Sequence, residues 1–70
     1  MGRIRLRVRE FAQEKGWTLR EVSNRTGIPY TTIATYASSP GMATVDYTAL
    51  DKMARAFEIP IEDLVEILEQ

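Results

Sequence analysis

The chain has 70 residues, 44% of them apolar and 27% charged, with a formal charge of −1. That is enough apolar material for one small core and is not the composition of a disordered segment. It contains no Cys and no His, which excludes disulfides, thiolate or imidazole metal sites, Cys nucleophiles and His-based acid–base catalysis.

No run approaches the roughly 18 apolar residues of a membrane span. The start, Met1-Gly2-Arg3-Ile4-Arg5-Leu6, lacks a secretory apolar core and the Ser or Thr of a myristoylation signal. A cytoplasmic, non-enzymatic chain with no metal, cofactor or small-molecule ligand is expected. The near-neutral total hides a division. Residues 1–35 carry Arg3, Arg5, Arg7, Arg9, Lys15, Arg20 and Arg25 against Glu10, Glu14 and Glu21, a net +4. Residues 36–70 carry Lys52 and Arg55 against Asp46, Asp51, Glu58, Glu62, Asp63, Glu66 and Glu69, a net −5. Such polarity favours a polyanionic partner for the first half, although a solvated surface would look the same on charge alone.

In chain order, Arg3 to Arg9 alternates basic and apolar residues, the period of a strand. Val8, Phe11 and Ala12 then take helical spacing, and Gly16 stands where a helix ends. A short extended start followed by a first helix over about 6–15 is expected. The four alternating arginines either solubilise the chain or turn one or two of their number to phosphates. Thr18-Leu19-Arg20-Glu21 reads as a capping box, the Thr18 hydroxyl serving the Glu21 amide and the Glu21 carboxylate reaching back. The second helix runs over about 18–25 and stops at Thr26-Gly27. Pro29 opens a third helix to about Ser38, and Ser39-Pro40-Gly41 is a loop.

Asp46 suits the N-cap of a fourth helix, where Leu50, Met53, Ala54 and Phe57 fall on one face. Ile59-Pro60 breaks it. A fifth helix is predicted from Glu62 and Asp63 in its first turn and from the stripe Ile61, Leu64, Val65 and Leu68. Ile67 lies roughly 120° off that stripe.

Two short helices joined by a glycine-containing turn form a helix-turn-helix arrangement. Small Ser23 stands four residues before Gly27, where the helices must approach, and Val22, Ile28, Ile33 and Tyr36 point into the angle between them. With these residues the sequence resembles the phage-repressor and Cro-like helix-turn-helix proteins, the XRE family, in its small stand-alone form. The resemblance runs through Arg5 to Phe11, Lys15 to Thr18, Val22-Ser23, Thr26 to Ile28, Thr31 to Ile33, Asp46 to Phe57, Ile59-Pro60 and Asp63-Leu64.

The resemblance implies an all-α, five-helix lambda-repressor-like fold, one domain over 1–70, possessing a short extended N-terminal segment. It implies a sequence-specific regulator of double-stranded DNA, a repressor, whose third helix enters the major groove while the second crosses the backbone. Position by position, base reading falls on Tyr30, Thr31 and Thr35, whose hydroxyls and methyls suit base edges. Backbone contacts fall on the amides of Thr18 and Leu19 and on Arg20, Arg25, Thr32, Ser38 and Ser39. Arg25 could equally pair with an acid of the second or fourth helix. Trp17 is expected as a lid between the first two helices. A homodimer is expected, with Ile4 and Ile67 at its interface.

The sequence departs from the family pattern at three places. Residues 26–45 carry no charge, Leu19 replaces a Gln, and Ala12 and Ala37 replace an Arg–Glu pair. Both members of that pair are gone together, so no buried charge is left alone, and DNA affinity is expected to be modest. The uncharged surface around Tyr30 and Met42 admits an alternative, a protein-interaction module of the same fold, antitoxin-like or partner-binding.

Overall fold

A computed structural model describes residues 3–68. The elements follow as β1 (Arg3–Leu6), α1 (Val8–Lys15), α2 (Leu19–Thr26), α3 (Tyr30–Ser38), α4 (Tyr47–Phe57), α5 (Ile61–Leu64) and β2 (Val65–Leu68). The five-helix architecture is as the sequence predicts, and each of the first four helices lies within two residues of its expected start.

Glycine stops two of the helices by the predicted means. Gly16 and Gly27 adopt φ of 74° and 75°, a left-handed region that a Cβ disfavours. No atom lies within 4 Å of a Cβ built on either, so backbone conformation, and not space, asks for glycine. The fourth helix ends in the same conformation without a glycine: Glu58 has φ 61° and ψ 45°. The Ile59 amide there bonds the Ala54 carbonyl at 3.0 Å, closing the helix as a Schellman motif does.

The end of the chain departs from expectation. The fifth helix is a single turn, and Val65–Leu68 continues as a strand antiparallel to β1, with Arg3 opposite Leu68, Ile4 opposite Ile67, Arg5 opposite Glu66 and Leu6 opposite Val65. The apolar spacing of 61–68 fits a helix, but the chain's two ends meet and satisfy each other's backbone groups, and β-branched Val65 and Ile67 suit a ladder. On its other edge β1 meets Met42, with Ile4 and Met42 exchanging backbone bonds of 2.8 and 2.7 Å. Arg5 fastens this sheet by donating to Glu66 at 2.6 Å and to Glu10 of α1 at 2.6 Å.

Helices and sheet share one core. Leu6, Val8, Val22, Ile33, Met53, Phe57 and Leu64 are its largest fully buried side chains. Ala12 and Ala37 are buried within it, so the ion pair of the family pattern is replaced by small apolar packing. Trp17 stacks on Phe57 with ring centroids 5.7 Å apart, and Phe11 lies 5.8 Å from Phe57 on another side. Trp17 thus packs on α4 through Phe57 as well as against α2, where Arg25 lies over its ring. No helix among the described residues is long and apolar enough to cross a membrane.

Candidate nucleic-acid interface

The turn between α2 and α3 is built from side chains that replace missing backbone partners. The Thr18 hydroxyl accepts from the Glu21 amide at 3.2 Å, one half of the predicted capping box. The other half is absent: the Glu21 carboxylate accepts from Arg25 Nε at 2.7 Å instead of returning to the Thr18 amide. At the far end of α2, Thr26 Oγ1 donates to the Val22 carbonyl at 2.7 Å and accepts from the Ile28 amide at 3.2 Å. Ser23 Oγ donates to the Ile28 carbonyl at 2.5 Å. These bonds satisfy the polar groups of a tight turn that buries Ile28. Val22, Ile28 and Ile33 are buried at the angle as expected, and Tyr36 is half-buried beside them.

The angle fixes α3 with its first turn open to solvent. Pro29 is its N-cap, with no side-chain cap, and Tyr30 and Thr31 are exposed. Thr35 is exposed on the same side one turn on, but its hydroxyl donates to the Thr31 carbonyl at 2.9 Å, leaving its methyl and an oxygen lone pair for another partner. Ser38 Oγ donates to the Ala34 carbonyl at 2.5 Å. Ser39 Oγ lies 3.3 Å from both the amide and the carbonyl oxygen of Gly41. Both serines therefore shape the end of α3, where Ser38 is exposed and Ser39 half-buried. Thr32 is half-buried in a shallow groove with Tyr36 and the start of α4.

The arginines separate by partner. Arg5 is bound to two carboxylates, and Arg7 donates to the Asp63 carbonyl at 3.2 Å. Both serve the junction of the chain ends. Arg9 instead lines an open groove with Gln13, Trp17, Thr18 and Leu19, beside the first amides of α2. The sequence leaves open whether the four arginines solubilise the chain or turn one or two of their number to phosphates, and only the turn from strand to helix after Leu6 brings Arg9 beside the start of α2.

Arg25 is paired with Glu21 and lies over the Trp17 ring at 4.2 Å, so its charge is largely matched within α2. Arg20, in the first turn of α2, lies over the Tyr30 ring at 4.5 Å. Among the described residues it has no carboxylate within ion-pairing distance. A contact of that kind between exposed side chains contributes about 0.5–1 kcal/mol.

Glu10 and Glu21 stand in the first turns of α1 and α2, but four acids of the second half lie elsewhere. Glu58, Glu62, Asp63 and Glu66 belong to the end of α4, to α5 and to β2, while Arg9, Arg20, Tyr30 and Thr31 lie near the starts of α1, α2 and α3. The division of charge along the sequence is not kept as a division of the fold, because Arg5 of β1 pairs with Glu66 of β2 and Glu21 stands in α2 paired with Arg25.

Two short helices joined through a left-handed glycine, the second presenting a bare first turn, define a helix-turn-helix domain. The family model for Cro/C1-type HTH DNA-binding domains matches residues 7–70, and the chain belongs to that family. Its chemistry is therefore DNA binding, in a family that is not enzymatic. No curated protein and no solved structure matches the chain.

Proposed function

We propose that this chain is a sequence-specific regulator of transcription, a repressor, that binds double-stranded DNA in the cytoplasm as a homodimer. The observation that carries the reading is the open first turn of α3, where Tyr30 and Thr31 stand exposed beside the start of α2. Helix 3 enters the major groove, with Tyr30, Thr31 and Thr35 toward base edges. The amides of Thr18 and Leu19, together with Arg20, Arg25, Thr32, Ser38 and Ser39, hold the phosphates, and Arg9 joins them from the adjoining groove. Because α3 is uncharged, the electrostatic part of affinity falls on groups outside the recognition helix, these arginines among them. It is small compared with that of binders carrying bases on the recognition helix.

The dimer surface we propose is the free side of β2, with Ile4 and Ile67. Its support differs from the helical argument, since Ile67 is a strand residue. Ile67 is 71% exposed and lies directly across the ladder from half-buried Ile4. Ile4 directs both backbone groups to Met42, so this is a non-hydrogen-bonded pair and Ile67 turns its own amide and carbonyl outward. A second copy, pairing antiparallel about Ile67, would exchange two backbone bonds and cover an edge that has no strand partner among the described residues. The protein-interaction alternative rests on the uncharged surface around Tyr30 and Met42, of which Tyr30 is exposed and Met42 is half-buried with its backbone bonded to Ile4.

The test is selection of bound fragments from random DNA by the purified protein at two salt concentrations. Enrichment of a two-fold symmetric motif, with binding that weakens steeply in salt, is the expected result. No enrichment at either concentration overturns the regulator.

A further inference from the structure

The recognition helix, Tyr30–Ser38, contains no charged residue, so nothing on it can make the charge-assisted, bidentate contact by which guanine is most often read. A cation beside its first turn comes from the preceding helix. Arg20 leaves the first turn of α2 and lays its guanidinium over the ring of Tyr30, 4.5 Å from its centroid. Tyr30 is the first residue of α3, the part of that helix that meets base edges. The acid that follows Arg20 in sequence, Glu21, is engaged by Arg25, which leaves the Arg20 charge unmatched among the described residues.

A phosphate needs only a positive charge within reach and tolerates a mobile one. A base edge needs two N–H groups held in a fixed plane, and stacking on an aromatic face fixes that plane. We propose that Arg20 and Tyr30 act as one reading unit for a guanine. The tyrosine ring holds the guanidinium plane, and two of its N–H groups donate to O6 and N7 of a guanine at the margin of the half-site. The unit rests on the DNA-binding reading above and moves Arg20 from phosphate holding to base reading, with Tyr30 as both a contact and a positioning residue. It also supplies the discrimination that an uncharged helix of hydroxyls and methyls lacks.

The experiment is a competition among half-sites that differ one base at a time, at fixed salt. It uses the parent, Arg20→Ala, Tyr30→Ala and Tyr30→Phe, with thermal melts to show that each folds. The parent should prefer guanine at one position by roughly tenfold or more. Arg20→Ala should lose that preference, and Tyr30→Ala should lose it although Arg20 is retained. Tyr30→Phe, which keeps the ring and drops the hydroxyl, should preserve it. An Arg20→Ala protein that binds every sequence more weakly by one factor, with a salt slope smaller by about one, shows a phosphate contact and overturns the unit alone. So does a Tyr30→Ala protein that still selects guanine. A parent with no preference at any position overturns the regulator together with the unit.

Discussion

The Ser23 hydroxyl donates to the Ile28 carbonyl at 2.5 Å across the turn between α2 and α3. The Gly27 amide returns to the Ser23 carbonyl at 2.8 Å, so one small residue holds both sides of the turn. Ser23→Ala leaves the Ile28 carbonyl without this partner next to a buried side chain. A loss of about 1–2 kcal/mol is expected, visible as a lower urea midpoint with an unchanged slope. An unchanged midpoint would mean that water replaces the hydroxyl at no cost.

Glu58 sits at φ 61°, a region that costs a residue with a Cβ about 1–2 kcal/mol. Its contact with Lys15 is 4.0 Å long and its side chain is 82% exposed, so little is lost with it. Glu58→Gly should therefore stabilise the chain, by about 0.5–1 kcal/mol after the extra freedom glycine brings to the unfolded state. The melting temperature should rise by several degrees in a chain of this size. A fall would show that the Lys15 contact outweighs the backbone strain.

Local signals in the sequence read well where the structure obeys local rules. Gly16 and Gly27 end helices in the left-handed conformation, Thr18 caps α2, and Val22, Ile28 and Ile33 are buried at the helix-turn-helix angle. The failure at 61–68 has a physical cause. Ile61, Leu64, Val65 and Leu68 satisfy helical spacing, and the strand period of Arg3 to Arg9 has no partner nearby in sequence. Only contact between the two ends of the chain resolves both ambiguities at once, and such contacts leave no periodic trace. The same holds at the interface. The exposure of Tyr30 and Thr31 follows from the motif, but the place of Arg20 over the Tyr30 ring and of Arg9 in the groove beside α2 depends on angles between helices that spacing does not express.

Arg5 holds the Glu10 carboxyl below the usual carboxylate range, chiefly through their side-chain hydrogen bond. A depressed folded value means the contribution is fully present above the unfolded carboxylate range and is lost as pH falls through the folded value. The loss therefore lies below about pH 4.5. Glu10→Gln should be less stable than the parent near neutrality, with the gap closing as pH drops toward 3. Both groups are substantially exposed, so the gap is modest, about 1 kcal/mol at most. A gap of constant size across that range would assign the difference to packing.

Thr31 is exposed in the first turn of α3, and no hydrogen bond to its hydroxyl is found among the described residues. Thr31→Ala removes one hydroxyl and one methyl without orphaning a buried group. On the selected DNA site it should cost about 1–3 kcal/mol, with little change on random DNA and no change in salt slope. Equal losses on both kinds of DNA would take Thr31 out of the reading set.

Ile67→Glu tests the free edge of β2. The side chain is 71% exposed and stands opposite half-buried Ile4, so a carboxylate there disturbs little within one chain. Across a two-fold axis at the same residue it brings two like charges together on a newly dry surface, which costs far more than on an open one. Sedimentation across a concentration series should show a dimer for the parent and a monomer for Ile67→Glu, with equal melting of the separated chains. Ile67→Pro supplies the backbone half of the argument. It removes an amide that points outward and not into the β1 ladder, so it should also abolish self-association. If both variants sediment as the parent does, the copies meet elsewhere, and the spacing of the two recognition helices must follow from another surface.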